Sequence, residues 1–137
     1  RDERKGAQHM IDDALFSRLS SGTAITAIVG TAIYPVRAPK NAAPPWIRWQ
    51  RISRIADRDL AGIEGLAQTR VQVDCIAASY DGARDLAEAV RARLTNWQDA
   101  AQSVADTGLL NSRDFYEQIG DSFYFTASLD FNIMHNE

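Results

Sequence analysis

The residues best suited to chemistry in this chain are one cysteine, one histidine and a short run of acidic residues. Cys75 is the only cysteine among 137 residues, so the chain forms no internal disulfide and no cysteine-rich zinc cluster. A nucleophilic thiol would need a histidine and an orienting carboxylate beside it. Cys75 instead shares its parity with Val71 and Val73, which predicts a buried, inert thiol on the core face of a strand.

His135 is the only histidine outside the first nine residues. A single imidazole near the end of the sequence cannot build a histidine-rich metal site, and no serine lies in a G-x-S-x-G motif. We therefore expect a solvated histidine without a catalytic role.

Asp57, Asp59 and Gly62 match the first, third and sixth positions of a calcium-binding loop. Ala61 and Gln68 occupy the fifth and twelfth positions, so one oxygen ligand and the closing carboxylate are missing. The glycines fit neither a dinucleotide-binding motif nor a Walker loop. The sequence thus predicts a solvated loop of mixed charge, no metal, no cofactor and no enzyme.

A segment of alternating aromatic and basic residues resembles the stacking surfaces of single-strand nucleic-acid binders; it contains Trp46, Arg48, Trp49, Arg51, Arg54 and Arg58. The two tryptophans differ in parity, however, so an unbroken strand points them to opposite faces. The net charge of −3 also argues against a surface that neutralises phosphates. These aromatic residues are better interpreted as core or subunit-interface anchors.

The length of the chain fits a single domain with a sizeable core. The longest apolar runs are well short of the ~20 residues that span a bilayer, and no signal peptide is recognisable, so we expect a soluble protein. Residues 1–9 lack apolar periodicity and precede Met10, which suggests an expression-tag remnant followed by one domain over residues 10–137.

The first half of the chain alternates between helical and extended patterns. Apolar residues at helical spacing predict a helix from Ile11 to Leu19, and a short helical turn follows over 23–29. Four prolines then indicate a connector with at most an edge strand. A strand over 46–52, a long polar loop over 54–66 and a second strand over 69–78 complete this half.

The second half predicts one helix and two strands. Ser79 or Asp81 can cap a helix whose apolar face is Ala83, Ala87, Val90, Leu94 and Trp97. A strand over 109–118 follows, and then a strand that alternates from Phe123 to Ile133, with one buried and one wet face. The predicted fold is α+β: about four antiparallel strands in a sheet, packed on one face by two main helices.

The order of these signatures resembles the tail-completion (tail-terminator, head-tail joining) proteins of long-tailed bacteriophages and prophages. The resemblance rests on the first helix, Ile33-Tyr34-Pro35, a second proline at 39, Pro45-Trp46-Ile47, Val71-Gln72-Val73-Asp74, the helix over 83–94 and the closing Leu129-Asp130-Phe131-Asn132-Ile133. It covers nearly all of residues 10–137. Trp46 and Cys75 depart from the residue types expected at these positions.

The resemblance implies a structural virion protein of the tail, assembled in the cytoplasm of the bacterial host. It implies a homo-oligomeric ring of six copies at the head-proximal end, which terminates the tail tube and contacts the tail tube protein and the head-tail connector proteins. The genome passes through the lumen without specific binding, and acidic residues lining the lumen would help DNA slide. No membrane is involved.

Two groups of residues are the candidate sites. A partner-docking loop, expected to order on docking to a neighbouring ring, comprises Arg54, Asp57, Arg58, Asp59, Gly62, Glu64 and Gly65. Core or interface anchors are Trp46, Trp49, Phe123, Phe125 and Phe131. The alternatives are a head-side connector or adaptor of the same virion, a small ligand-binding α+β domain, and a nucleic-acid-binding prophage accessory protein.

Overall fold

The computed structural model describes residues 3–40, 42–56, 66–119 and 121–136, and within them the chain is α+β, as predicted. The helices are α1 (Glu3–Ser20), α2 (Thr23–Val29) and α3 (Tyr80–Leu94), with a 3₁₀ turn at Ala100–Gln102. The strands are β1 (Ile33–Pro35), β2 (Trp46–Ala56), β3 (Leu66–Ala77), β4 (Val104–Ile119) and β5 (Ser122–Asn136).

The described strands form one five-stranded sheet in the order β1-β2-β3-β5-β4. β1 runs parallel to β2, whereas the other three pairings are antiparallel. We predicted about four antiparallel strands, so the parallel strand β1 is one more than expected. It lies in the proline-rich connector, for which the sequence predicted at most an edge strand. Because β1 has only three residues, it carries too little periodicity to be identified from the sequence.

α3 begins at the predicted cap, but it ends at Leu94, so Trp97 lies beyond the helix rather than on its predicted apolar face. The Ser79 hydroxyl accepts a hydrogen bond from the backbone N–H of Gly82 at 3.0 Å, which caps the first turn. The buried face consists of Ala83, Leu86, Ala87, Val90 and Leu94. This face packs on β3 and β5.

The core lies between the helices and one face of the sheet. α1 contributes Ile11, Ala14, Leu15 and Leu19, and β5 contributes Ala127, Leu129, Phe131 and Ile133. These β5 residues share one parity, so the strand alternation predicted for the core face is correct. We call this the helix-bearing face of the sheet.

Several element boundaries differ from the prediction. β2 continues to Ala56 and β3 begins at Leu66, so Arg54 lies in a strand rather than in the predicted loop. The register shifts between Arg51 and Ser53, and this bulge breaks the period of two on which strand recognition depends. β4 begins at Val104 rather than 109, again with register shifts that hide the alternation. α1 begins at Glu3, before the predicted start at Ile11.

Candidate interaction surfaces

The structure gives Cys75 no catalytic surroundings. Its side chain is buried in the core, and burial, reinforced by the nearby Asp74 carboxylate, raises the pKa of the thiol. A neutral, buried thiol is a weak nucleophile. Among the described residues, no group of three or more histidine, cysteine, aspartate or glutamate side chains could hold a metal ion.

The expectation of a solvated His135 is wrong. The imidazole is buried, with Nε2 at 2.7 Å from the Thr69 hydroxyl and Nδ1 at 2.9 Å from the backbone oxygen of Asn136. His135 continues the core parity of Phe131 and Ile133 on β5, and the adjacent β3 supplies a hydroxyl on the same face. The signal in the sequence was that His135 has the same parity as these core residues, which indicates burial. The prediction relied instead on its position near the end of the sequence.

Most of the predicted docking loop lies outside the described residues: Asp57, Arg58, Asp59, Gly62, Glu64 and Gly65. Arg54, the remaining member, lies in β2 opposite Thr69 of β3. Its Nε atom is buried and has no hydrogen-bond partner among the described residues. A buried, unpaired guanidinium nitrogen is unfavourable, so this end of β2 is a place where an external acceptor would be stabilising.

The five predicted anchors lie in three different environments. Phe131 and Trp49 are buried in the core, at 0% and 8% exposure. Trp46 lies on the opposite face of the sheet, where its ring is 5.7 Å from that of Tyr124. Phe123 and Phe125 lie near the β4–β5 turn, where Phe123 is exposed.

Four aromatic side chains at this end of the sheet form a contiguous group, here called the aromatic cluster: Tyr80, Tyr116, Phe123 and Phe125. Tyr116 stacks on Phe123, with ring centroids 5.6 Å apart and planes at 12°. Phe125 lies 5.0 Å from Tyr116 and 6.2 Å from Tyr80 at the start of α3. Tyr80, Tyr116 and Phe123 are each about half exposed, which is typical of a surface that contacts another molecule.

The face of the sheet opposite the helices carries a ladder of paired charges, and we call it the polar face. The Arg48 guanidinium donates to Asp74 Oδ2 through Nη2 at 2.6 Å and Nε at 3.0 Å. Gln72 also donates to this carboxylate, at 2.9 Å. Asp74 is 1% exposed, and the ion pair with its three donated hydrogen bonds compensates for the loss of water.

A second group on the polar face surrounds Asp130. Arg70 and Arg113 place Nη2 atoms 3.4 Å and 3.8 Å from Asp130 Oδ2. The prediction of one wet face on β5 is therefore wrong at its centre, where Thr126, Ser128 and Asp130 are buried. The long side chains of Arg70 and Arg113, from the neighbouring strands, approach Asp130 and help to exclude water from it.

Sequence reasoning did not identify the polar face as a feature. Arg70 and Asp74 share a parity on β3, and Asp130 has the matching parity on β5. Antiparallel pairing brings charged residues of matching parity on neighbouring strands together. The alternating positions of these charges could therefore have indicated a charged face. Without knowing which strands are neighbours, that signal cannot be assigned to pairs.

Two arginines join the ends of α1 and α3. Arg18 and Arg93 donate their Nε–H groups to each other's backbone carbonyl oxygens, and both side chains border an open groove of about 250 Å³ beside α2. Burial lowers the pKa of Arg18, and the nearby positive charge of Arg93 lowers it further. The groove is smaller than the ~300–1,000 Å³ of most ligand pockets, so we assign it no ligand.

Both edges of the sheet are partly open. At one edge, β1 covers β2 only at residues 47–49. At the other, the segment before β4 covers its first residues, because Asn96 N–H donates to Thr107 O at 2.8 Å and Asp99 bridges Val104. Beyond these points, residues 50–56 of β2 and 109–119 of β4 each pair with a strand on one side only, and no described strand lies on their other side. Open strand edges are ready sites for pairing with another chain.

Comparison with known proteins finds a matching family and a solved chain of similar fold. The family model described as "Tail completion protein gp17" matches residues 13–136. A solved chain from the "Virion of native gene transfer agent (GTA) particle" is similar in fold, with a TM-score of 0.67, 16% identity, and coverage of 90% of this chain and 92% of that chain. No curated protein matches.

None of the helices in the described ranges is long and apolar enough to cross a membrane. The family match extends over most of the sequence, from the middle of α1 to the end of β5. The chain therefore belongs to the tail completion protein gp17 family and is a structural protein of phage-type tails.

Proposed function

We propose that this chain forms a homo-oligomeric ring of six copies at the head-proximal end of a phage tail. The ring terminates the tail tube and joins it to the head connector. Its partners are further copies of itself, the tail tube protein and the head-tail connector proteins. Family membership and the fold similarity to a virion chain support this proposal.

The observation that carries the proposal is the exposure of β4. This strand of sixteen residues lies at the edge of the sheet, and its residues 109–118 are all exposed. They include Leu110, Phe115 and Tyr116, which are 43–58% exposed. A long, partly apolar edge strand in a free monomer favours aggregation, whereas in an assembly it forms an interface.

The role is structural rather than catalytic. Cys75 and His135 are both buried, and each contributes to packing within the described part of the chain. The polar face neutralises its arginines with Asp74 and Asp130, so it offers few unpaired cations to DNA. Such a surface is compatible with a genome that passes through a lumen without specific binding.

The partner-docking role of Asp57 to Gly65 remains part of the proposal. Deletion of this segment should leave the rings intact but prevent tails from joining heads, as measured by infectivity and by electron microscopy of tails. Tails that join normally after the deletion would contradict the docking role.

The proposed function is tested by removing the protein from a tail-producing strain and imaging the products. A terminator should leave headless tails of uncontrolled length, and the purified chain should form rings or cap purified tails in negative-stain images. A head-side connector would instead leave tails of normal length beside DNA-filled heads without a neck. That outcome would reassign the chain to the head side of the joint.

A further inference from the structure

We propose that the sheet of one copy continues into the sheet of the next, through antiparallel pairing of the open segment of β4 (109–119) with the open segment of β2 (50–56). This inference rests on the proposed ring and specifies the surfaces that close it. The partner of each open edge is therefore another copy of this chain.

The two open edges differ from each other, as a ring requires. A closed ring of more than two copies uses heterologous contacts, in which one surface binds a different surface of the neighbour. Each copy offers one open segment at the β2 edge and another at the β4 edge. β1 and the segment 96–103 cover the rest of these edges and restrict where pairing can occur.

The strand directions are compatible with this contact. β2, β3, β5 and β4 alternate in direction across the sheet, so β2 and β4 run in opposite directions. Rotation about a ring axis preserves the direction of each strand relative to that axis. β4 of one copy therefore meets β2 of the next in antiparallel orientation, and the alternation continues around the ring.

The positions of the open segments also fit a closed barrel. The strand register relates both open segments to β5. The open part of β2 corresponds, by way of β3, to residues 130–135 of β5, and the open part of β4 pairs directly with residues 122–131. The midpoints differ by about six residues, or about 20 Å at about 3.3 Å per residue. Four strands are about 19 Å wide, so this stagger gives a tilt of about 45°, within the range of barrels.

Charges on the two segments are complementary on the helix-bearing face. Arg51 and Arg54 lie opposite Val71 and Thr69 of β3, and Asp114 lies opposite Ala127 of β5, so all three are on this face. Arg51 and Asp114 are exposed, although Asp114 also pairs with Arg84 of its own copy at 3.3 Å. Arg54 has the buried Nε atom without a hydrogen-bond partner that is described above. A carboxylate from the next copy would supply the missing acceptor.

This pairing determines which face lines the lumen. The helices cover one face of the sheet. We place them outside the ring, where they leave the channel widest, so the polar face is directed inward. Six copies supply about 24 strands, and barrels of about 16 to 18 strands already enclose an aqueous channel. The lumen wall then carries Arg48, Arg70 and Arg113 together with Asp74 and Asp130. The exposed Asp106 and Glu117 share this face, opposite Met134 and Tyr124 of β5, so the wall has mixed charge with nearly balanced signs.

Cysteine cross-linking tests the contact directly. A chain carrying both Arg51→Cys and Asp114→Cys is assembled on purified tails and treated with a short bismaleimide, whose reach tolerates small differences in register. We expect a ladder of covalent multimers that ends at the ring size, while each single-cysteine variant remains monomeric. Cys75 is buried and does not react in the folded chain.

A matched control places the two cysteines on exposed helical positions, Ser20→Cys with Asp85→Cys. One result would overturn the edge contact while leaving the proposed ring intact: rings are seen in the images, the control pair gives a ladder of multimers, and the edge pair gives no ladder. Dimers from either single edge variant would also overturn it, because they indicate a symmetric contact. Absence of rings both in solution and on tails would overturn the proposed function itself.

Charge reversal gives a second measurement. Arg51→Glu and Asp114→Arg should each lower the ring yield several-fold, and the two changes combined should restore it. Circular dichroism should show that all three variants remain folded, because both side chains are exposed in the single copy. An equal loss in the double variant would show that the two charges do not face each other, and would overturn the assigned contact.

Discussion

Arg18 and Arg93 each donate an Nε–H to the other's backbone carbonyl oxygen, at 3.0 Å and 2.9 Å. These carbonyls belong to the last turns of α1 and α3, where helix geometry leaves oxygens without a partner. Positive side chains are also favourable at these helix ends because of the helix dipole. The two arginines therefore join two helix ends despite their like charges.

Replacing Arg93 by Gln should destabilise the fold by about 1 kcal/mol or more, because the carbonyl of Arg18 loses a charged donor. Arg93 also donates to Ser21 at 2.8 Å, and this bond is lost as well. The measurement is urea denaturation monitored by circular dichroism. Arg91→Gln is the control on the same helix. Among the described residues, the Arg91 side chain pairs with the exposed Glu88, so little change is expected. Equal effects would contradict the capping role.

The buried hydroxyl–imidazole contact predicts a second stability effect. Thr69→Val keeps the shape of the side chain but removes the hydroxyl that lies 2.7 Å from His135 Nε2, which should lower the free energy of unfolding by about 1–3 kcal/mol. Thr69→Ser retains the hydroxyl and should recover part of this loss. If Thr69→Val were no more destabilising than Thr69→Ser, which loses only a methyl group, the hydrogen bond to His135 would not be the main contribution.

The Asp74 carboxylate is the centre of the first charge group on the polar face. Asp74→Asn should lower the free energy of unfolding by about 1–3 kcal/mol, because Arg48 loses its charged acceptor and Gln72 loses an anionic one. Asp114→Asn is the matched control. Its ion pair with Arg84 is exposed on both sides, so its effect should stay within about 0.5 kcal/mol. A similar loss of unfolding free energy in both variants would contradict the difference expected between the buried and the exposed ion pair.

Cys75 makes the stability of the fold sensitive to high pH. Burial raises the pKa of its thiol in the folded state, whereas the unfolded thiol ionises near its usual value of about 8.5. The contribution of the neutral thiol is therefore fully present below about pH 8.5 and declines above it, by up to about 1.4 kcal/mol per pH unit. Denaturation curves between pH 7 and 10 should show this decline in the native chain.

Cys75→Ala is the comparison for this effect, because alanine cannot ionise. Its overall stability should be lower, since a buried side chain is shortened, but the slope above about pH 8.5 should be smaller. The same slope in both proteins would assign the pH dependence to other groups.

The sequence predicted α3, the core face of β5 and the α+β class because these elements obey a regular period. Ala83, Val90 and Leu94 repeat at helical spacing, and Leu129, Phe131 and Ile133 alternate without interruption. β2 and β4 were predicted too short since their register shifts break that alternation.

The candidate surfaces were less accessible from the sequence. The prediction of aromatic anchors included Phe123 and Phe125, but it could not group them with Tyr80, which is distant in the chain and approaches through the packing of α3. The pairing of Asp130 with Arg70 and Arg113 likewise depends on the strand order β3-β5-β4. Strand order arises from long-range packing, which a local pattern does not encode.

The register shifts in β2 and β4 affect how the free subunit behaves before the tail is complete. Amyloid-like fibres stack identical strands in register, and they require flat segments with unbroken alternation. A shift between Arg51 and Ser53 on one edge, and another between Leu109 and Asn111 on the other, twist these edges out of such a plane. These shifts therefore limit fibre-like stacking of the exposed edges in the free chain, and in the proposed ring they favour a neighbour whose edge has the same twist.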